Sequence, residues 1–233
     1  LAGVGCFVDS CRTCPSCRAG LEQYCEQGMV ATYNGLDKNS LPTYGGYSSY
    51  VVVNEEFTLK INPKFSIERV APLLCAGITT YSPIMEWKVK KNDKVAVLGL
   101  GGLGHMAVKF AASLGAEVSV LSTSRSKEMD AKKLGAHHFV LTNDKNNLAL
   151  HQNHFDFIIN TVSAQHDLVT YLQLLNRDGT MILLGAPPEP AQISSFNLIS
   201  KRRRLVGSLI GGIKQTQEML DYCAQYNIMS DVE

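Results

Sequence analysis

Apolar residues in the second half of the chain fall into short runs separated by polar turns. Residues 95–98 form one such run, and 117–121, 139–141, 155–160, 180–184 and 206–210 form five more; each has the length and β-branched content of a buried strand. Between them Met106, Ala107, Phe110, Ala111 and Leu114 recur at helical spacing, and 127–134 and 165–175 read as further helices. Six strands alternating with helices predict an α/β fold, a doubly wound parallel sheet of the Rossmann kind. The first seventy or so residues carry no such alternation. They are rich in Gly, Pro, Ser and Cys turns.

Composition narrows the picture. Of 233 residues, 45% are hydrophobic and 18% charged, which describes a folded chain long enough for one large domain or two small ones. A net charge of +1 leaves no electrostatic footprint for nucleic acid or an anionic membrane. The local exception, Lys201-Arg202-Arg203-Arg204, precedes an apolar run and reads as a solvated strand edge. No run approaches the roughly 18 apolar residues that cross a bilayer, and no export signal is visible. The chain opens at Leu1 inside a strand-like pattern, so a trimmed sequence is expected.

Four of seven cysteines crowd into one segment: Cys11, Cys14, Cys17 and Cys25, spaced C-x2-C-x2-C-x7-C. Thiolates this close suit a tetrahedral ion, whereas disulfides among the first three would close small strained rings. Four thiolates around zinc make a closed, structural site. A redox motif or a disulfide pair is the alternative; the lack of an export signal and three further cysteines weigh against it. Reduced thiols also point to the cytoplasm. Cys6 and Cys223, in apolar surroundings, read as packing residues. On its residues alone Cys75 reads as a buried, inert helix cysteine.

Directly after the strand at 95–98 comes Gly99-Leu100-Gly101-Gly102-Leu103-Gly104, followed by a helix and a second strand. A glycine triplet alone is weak evidence. Strand, glycines, helix and strand within thirty residues form a dinucleotide fingerprint, with the pyrophosphate at the helix N-terminus. Sites for NAD place a carboxylate at the end of the second strand. Here that position reads Ser122-Thr123-Ser124-Arg125-Ser126-Lys127, with no acid before Glu128. Hydroxyls and two cations suit a 2′-phosphate, so NADP(H) is expected; capping of the next helix uses the same donors.

The cysteine lobe with Leu21-Glu22-Gln23-Tyr24-Cys25, Gly45-Gly46-Tyr47-Ser48, the stretch Pro72-Leu73-Leu74-Cys75-Ala76-Gly77-Ile78-Thr79-Thr80-Tyr81 and the glycine turn through Met106 resemble the medium-chain zinc alcohol dehydrogenases. The likeness is to their cinnamyl-alcohol-dehydrogenase-like branch, which includes broad-specificity NADPH aldehyde reductases. It runs through essentially the whole chain. The resemblance implies part of a β-rich GroES-like catalytic domain with a zinc loop at 1–74, a Rossmann domain at 75–212, and the start of a return to the catalytic domain at 213–233. It makes Cys75 a ligand of a catalytic zinc, and puts Thr79, Thr161, Gly185, Ser208, Leu209 and Ile210 along the cofactor. Its activity would be hydride transfer between NADP(H) and a primary alcohol or aldehyde, and its oligomer a homodimer paired through 205–210.

The sequence also departs from the family. All six histidines follow Cys75, so none matches the family's zinc-binding His, and the other early ligand is lacking as well. The chain is therefore expected to be shortened at both ends and inactive by itself, since a catalytic zinc takes about three protein ligands. An NAD-dependent polyol dehydrogenase, a zinc-free quinone or enoyl reductase and a non-catalytic, zinc-stabilised NADPH-binding protein stand as alternatives. The missing acid after Leu121 argues against the first, the cysteine loop and Cys75 against the second.

Overall fold

The computed structural model describes residues 1–232, so Glu233, last of the proposed 213–233 segment, lies outside the described residues. The chain divides into two compact units, 1–82 with 209–233 and 83–208. Residues 75–82 and 209–212, assigned with the Rossmann domain on sequence grounds, belong to the first of these.

The first unit is built from short strands: β1 (Ala2–Val4), β2 (Phe7–Asp9), β3 (Val30–Ala31), β4 (Tyr33–Leu36), β5 (Pro42–Tyr44) and β6 (Thr58–Lys60). They form three antiparallel pairs, β1 with β6, β2 with β3 and β4 with β5. Helices α1 (Pro15–Arg18), α2 (Ile67–Val70) and α3 (Ala76–Glu86) follow in chain order, the last crossing into the second unit. Phe7 and Phe57 meet edge to face at 5.8 Å inside this unit. Strands of two to four residues bury too little to hold themselves, so side chains stitch them together.

The second unit contains β7 (Lys94–Leu98), α4 (Gly102–Ser113), β8 (Glu117–Ser122), α5 (Glu128–Lys133), β9 (His138–Leu141), α6 (Lys145–Ala149), β10 (Phe155–Asn160), α7 (Leu168–Leu172), β11 (Leu175–Leu183), α8 (Phe196–Ile199) and β12 (Arg204–Gly207). Its sheet runs β12-β11-β10-β7-β8-β9 with every pairing parallel. The order reverses between β7 and β10, the switch point at which open α/β sheets bind ligands beyond their strand ends. Phe155, Ile158, Leu172, Leu174, Leu175 and Met181 form the heart of the core on one face.

Two expected elements are shorter than the pattern implied. The helix expected over 165–175 is confined to Leu168–Leu172 because Asp167 caps its start, accepting from the Val169 N–H at 2.9 Å, and Leu175 already belongs to β11. The last strand ends at Gly207 instead of reaching 210, and Ile210 adopts φ +35°, incompatible with a strand. In the basic run, Arg203 is not a solvated edge residue. Its guanidinium donates to the Leu175 carbonyl at 2.8 and 3.0 Å and to the Asn153 side chain at 2.9 Å.

The chain returns to the first unit as α9 (Ile213–Tyr226), which buries Thr216, Met219, Leu220 and Cys223, one stripe at helical spacing. Gln217 accepts from the Lys60 N–H at 2.8 Å and donates to the Lys60 carbonyl at 3.2 Å. No helix among the described residues is long and apolar enough to cross a membrane.

Candidate metal and dinucleotide sites

The four clustered cysteines converge as their spacing predicts. Arg12 at φ +64° turns the chain after Cys11, and Cys14 caps α1, with Pro15 at its first position. Gly20 at φ +74° and Gly28 at φ +86° bracket Cys25. The four sulfurs all lie within 4.8 Å of one another, and Cys11 Sγ is 3.9 Å from Cys17 Sγ. Four sulfurs about 2.3 Å from a tetrahedral zinc stand about 3.8 Å apart, a spacing close to that of the loop.

Backbone N–H groups already point at the sulfurs: Cys11 N–H at the Cys25 Sγ (3.3 Å), Cys14 N–H at the Cys11 Sγ (3.3 Å) and Cys17 N–H at the Cys14 Sγ (3.5 Å). Hydrogen bonds from the Thr13 and Cys14 backbone hold the Cys11 thiol down at about 6, whereas burial pushes Cys17 up to about 12. A buried set of thiolates is costly unless a cation offsets the desolvation. All the cysteines among the described residues are free thiols.

Two neighbours of the loop carried no signal in the sequence. Glu22 Oε2 accepts from the Ile213 N–H at 3.1 Å, at the start of α9, which its own N-cap, Gly212, leaves without a side-chain partner. The Tyr24 hydroxyl accepts from the Leu209 N–H at 3.1 Å. The cysteine loop therefore holds both ends of the 209–213 segment. A carboxylate at a helix N-terminus is also favoured by the helix dipole.

In the second unit the glycine turn lies between β7 and α4, at the switch point. Gly99 has φ +88°. A Cβ on Gly104 would stand 2.1 Å from the Gly99 carbonyl oxygen, so glycine is obligatory there. Added Cβ atoms at Gly101 and Gly102 would meet nothing within 4 Å; that open space borders the start of α4, which no side chain caps. Such a cradle fits a pyrophosphate. Leu100 and Leu103 complete the turn, and Thr161 donates to the Leu98 carbonyl at 2.9 Å, fixing the end of β10 against β7. A Cβ on Gly185 would stand 2.2 Å from the Val162 carbonyl oxygen, so the chain leaving β11 lies in close backbone contact with the segment after β10.

The rim beyond β8 is built as an interlocked group of hydroxyls and cations. Ser122 is buried and accepts from the Ser124 N–H at 3.2 Å, and the Ser124 and Ser126 hydroxyls meet at 2.8 Å. Lys127 Nζ donates to the Leu100 carbonyl at 2.7 Å, tying this rim to the glycine turn. Asn143 donates to the Thr123 carbonyl at 2.8 Å, a support with no signature along the chain. Arg125, at the start of a 3-10 turn that leads into α5, stays on the rim. No carboxylate interrupts residues 122–127.

Cys75 differs from the inert helix cysteine read from its residues alone. It is exposed, between the 3-10 turn Ala71–Leu74 and α3. Cys6 is not plain packing either: its thiol donates to the Leu74 carbonyl at 3.4 Å. The hydrogen bond from Cys6 holds the Cys75 thiol down at about 6, while the same contact and burial push Cys6 up. Cys223 is the packing residue expected, fully buried against Met219. Among the described residues, Cys75 does not belong to a group of three or more potential metal ligands. Thr79, buried in α3, spends its hydroxyl on the Cys75 carbonyl at 2.7 Å. Ser208 bonds through its N–H to Leu183 at 3.3 Å in the second unit, whereas Leu209 is exposed and Ile210 buried in the first.

Comparison with known proteins agrees with this chemistry. A family model described as zinc-binding dehydrogenase matches residues 102–225. The chain is 52% identical over 232 residues to NADP-dependent alcohol dehydrogenase C 1 of Mycolicibacterium smegmatis, covering 99% of this chain and 66% of that protein. It is also similar to the cinnamyl alcohol dehydrogenase SbCAD4 of Sorghum bicolor (TM-score 0.96, 40% identity), covering all of this chain and 67% of that one. A cinnamyl alcohol dehydrogenase structure from Helicobacter pylori complexed with NADP(H) gives a TM-score of 0.92 at 44% identity, again covering 100% of this chain and 67% of the other. These likenesses bear out the expected α/β fold with its six-stranded parallel Rossmann sheet.

Two outcomes follow from the first unit. Stripping metal from the zinc-loaded chain with a chelator is expected to speed hydrogen exchange at the Leu209 and Ile213 amides; unchanged exchange would show that the loop does not hold them. In the stripped chain, Cys6→Ala is expected to raise the midpoint for alkylation of Cys75 by iodoacetamide from about 6 toward the ordinary 9.0. The sign is fixed by the donor: removing it destabilises the thiolate and leaves the thiol unreactive until higher pH. A midpoint that stays put would remove Cys6 as the cause.

Proposed function

We propose, for a chain that belongs to the zinc-binding dehydrogenase family, an NADP(H)-dependent alcohol dehydrogenase and aldehyde reductase activity of the whole protein, with the chain inactive by itself because Cys75 belongs to no group of three or more potential metal ligands among the described residues. The observation that carries this reading is the open glycine turn tied through Lys127 to a rim of hydroxyls and cations without a carboxylate. Gly99, Gly101, Gly102 and Gly104, with Leu100 and Leu103, let a pyrophosphate approach the backbone at the start of α4. Ser122, Thr123, Ser124, Arg125 and Lys127 serve a 2′-phosphate, which a carboxylate there would repel. Thr161 and Gly185 keep the mouth of the switch point in shape.

Cys11, Cys14, Cys17 and Cys25 would hold a structural zinc. Cys75 would give one thiolate to a catalytic zinc. When bound, that zinc supplies Lewis acidity toward a substrate oxygen and the nicotinamide supplies the hydride. Thr79 bonds the Cys75 carbonyl one turn into α3. The likeness to the Mycolicibacterium enzyme supports NADP(H) and alcohol or aldehyde substrates. We further infer a cytoplasmic location, supported by free thiols, and a homodimer paired through the edge strand β12.

The decisive experiment compares NADPH and NADH binding by nicotinamide fluorescence in the starting chain and in Arg125→Asp. NADPH is expected to bind more tightly at first, and the substitution to weaken it by about tenfold or more while sparing NADH. Equal affinities in the starting chain would sink the phosphate reading. Metal analysis of the chain is expected to find about one zinc, held by the cysteine loop. Zinc that persists after all four loop cysteines are replaced by Ser would contradict that assignment.

A further inference from the structure

The sulfurs of Cys11, Cys14 and Cys25 each face a backbone N–H, at 3.3, 3.5 and 3.3 Å. At Cys17 the near group is a side chain: the thiol donates to Ser10 Oγ at 3.3 Å. Ser10 is 1% exposed, and among the described residues the Cys17 sulfur is the one hydrogen-bond partner of its hydroxyl. Accepting from a thiol uses the Ser10 oxygen and leaves its O–H without an acceptor. The backbone holds this hydroxyl in place from the strand side. Ser10 directly follows β2, and its N–H donates to Asp9 Oδ1 at 2.8 Å. Asp9 is itself clamped by Arg12 Nε at 3.0 Å and Lys38 Nζ at 2.8 Å.

We propose that Ser10 is a positioning residue for the zinc of the cysteine loop, its hydroxyl donating to the Cys17 sulfur when that sulfur binds the metal. This rests on the reading of the four cysteines as a structural zinc site. A zinc-bound cysteine sulfur carries no proton and only accepts. The pair therefore exchanges roles, and the Ser10 O–H gains the acceptor that a thiol does not give it. Four sulfurs around one dication leave excess negative charge in a buried loop, and donors in fixed positions offset it. Backbone N–H groups serve three of the sulfurs in this way. At Cys17 the donor is a replaceable side chain, in a place where water does not substitute for it. Thr13 is the contrast: its hydroxyl stands 3.8 Å from the Cys11 sulfur and is exposed, so water takes over if it is removed.

Three variants of the full chain test this, Ser10→Ala, Ser10→Thr and Thr13→Val, each loaded with zinc or with cobalt(II) as a coloured substitute. In competition with a chelator, Ser10→Ala is expected to weaken zinc binding by about 10–100-fold, and Thr13→Val to stay within about twofold of the starting chain. In the cobalt form, the sulfur-to-metal charge-transfer band is expected to move to longer wavelength in Ser10→Ala, because a sulfur without its hydrogen bond gives up an electron more easily. Ser10→Thr keeps the hydroxyl and is expected to restore the band. Weaker metal binding with an unmoved band would reveal a packing role alone and overturn the proposal. So would a band displaced as far in Ser10→Thr, or an equal loss of affinity in Thr13→Val. A starting chain that takes up no zinc at the four cysteines would sink the zinc reading and this proposal together. Zinc held as tightly by Ser10→Ala as by the starting chain would sink the proposal alone.

Discussion

Backbone touching backbone at the switch point is the constraint on which the second unit turns. Gly104 lies so close to the Gly99 carbonyl that a single methyl group would sit 2.1 Å from it. Overpacking of this kind typically costs about 1–3 kcal/mol, and here the obstacle is backbone that cannot rotate away. The contact draws the start of α4 down onto the end of β7. It thereby points the unpaired amides of a helix terminus at the place where the sheet order reverses. Lys127 extends the same constraint to the loop after β8 by bonding the Leu100 carbonyl, so the glycine turn and the group of hydroxyls and cations beyond β8 are tied together.

The first unit solves a different problem. Its strands are short, and beside an apolar core that includes Phe7, Phe57, Leu59, Leu73 and Ile78, convergent polar groups order its loops: sulfurs around a point, Glu22 on a helix start, a tyrosine hydroxyl on a loop amide. Burial of Cys17 opposes ionisation and backbone N–H groups at Cys11 favour it; a dication would reconcile the two.

The alternation of apolar runs gave away the Rossmann sheet because each of its strands carries a short apolar run, and the glycine turn was legible because Gly99 at φ +88° and Gly104 against the Gly99 carbonyl admit no side chain. The cysteine loop was equally plain from spacing. What escaped was everything set by distant segments. The Asp167 cap that shortens α7, the carbonyls gathered by Arg203, and the Glu22 and Tyr24 bonds join residues whose types are ordinary in sequence. Cys75 was misread from its neighbours as buried, because its helical surroundings say nothing about the turn that exposes it. Cys6 was read as packing because its partners lie far along the chain.

Gln217 offers a last lesson about small sheets. Its carboxamide takes both the N–H and the carbonyl of Lys60, the outward-facing pair at the end of β6. A two-stranded ribbon exposes such groups as a template on which another chain can add. By imitating one residue of a third strand, the glutamine closes the ribbon after two and denies the edge to strangers. Loss of that one amide would turn a finished border into an invitation to polymerise.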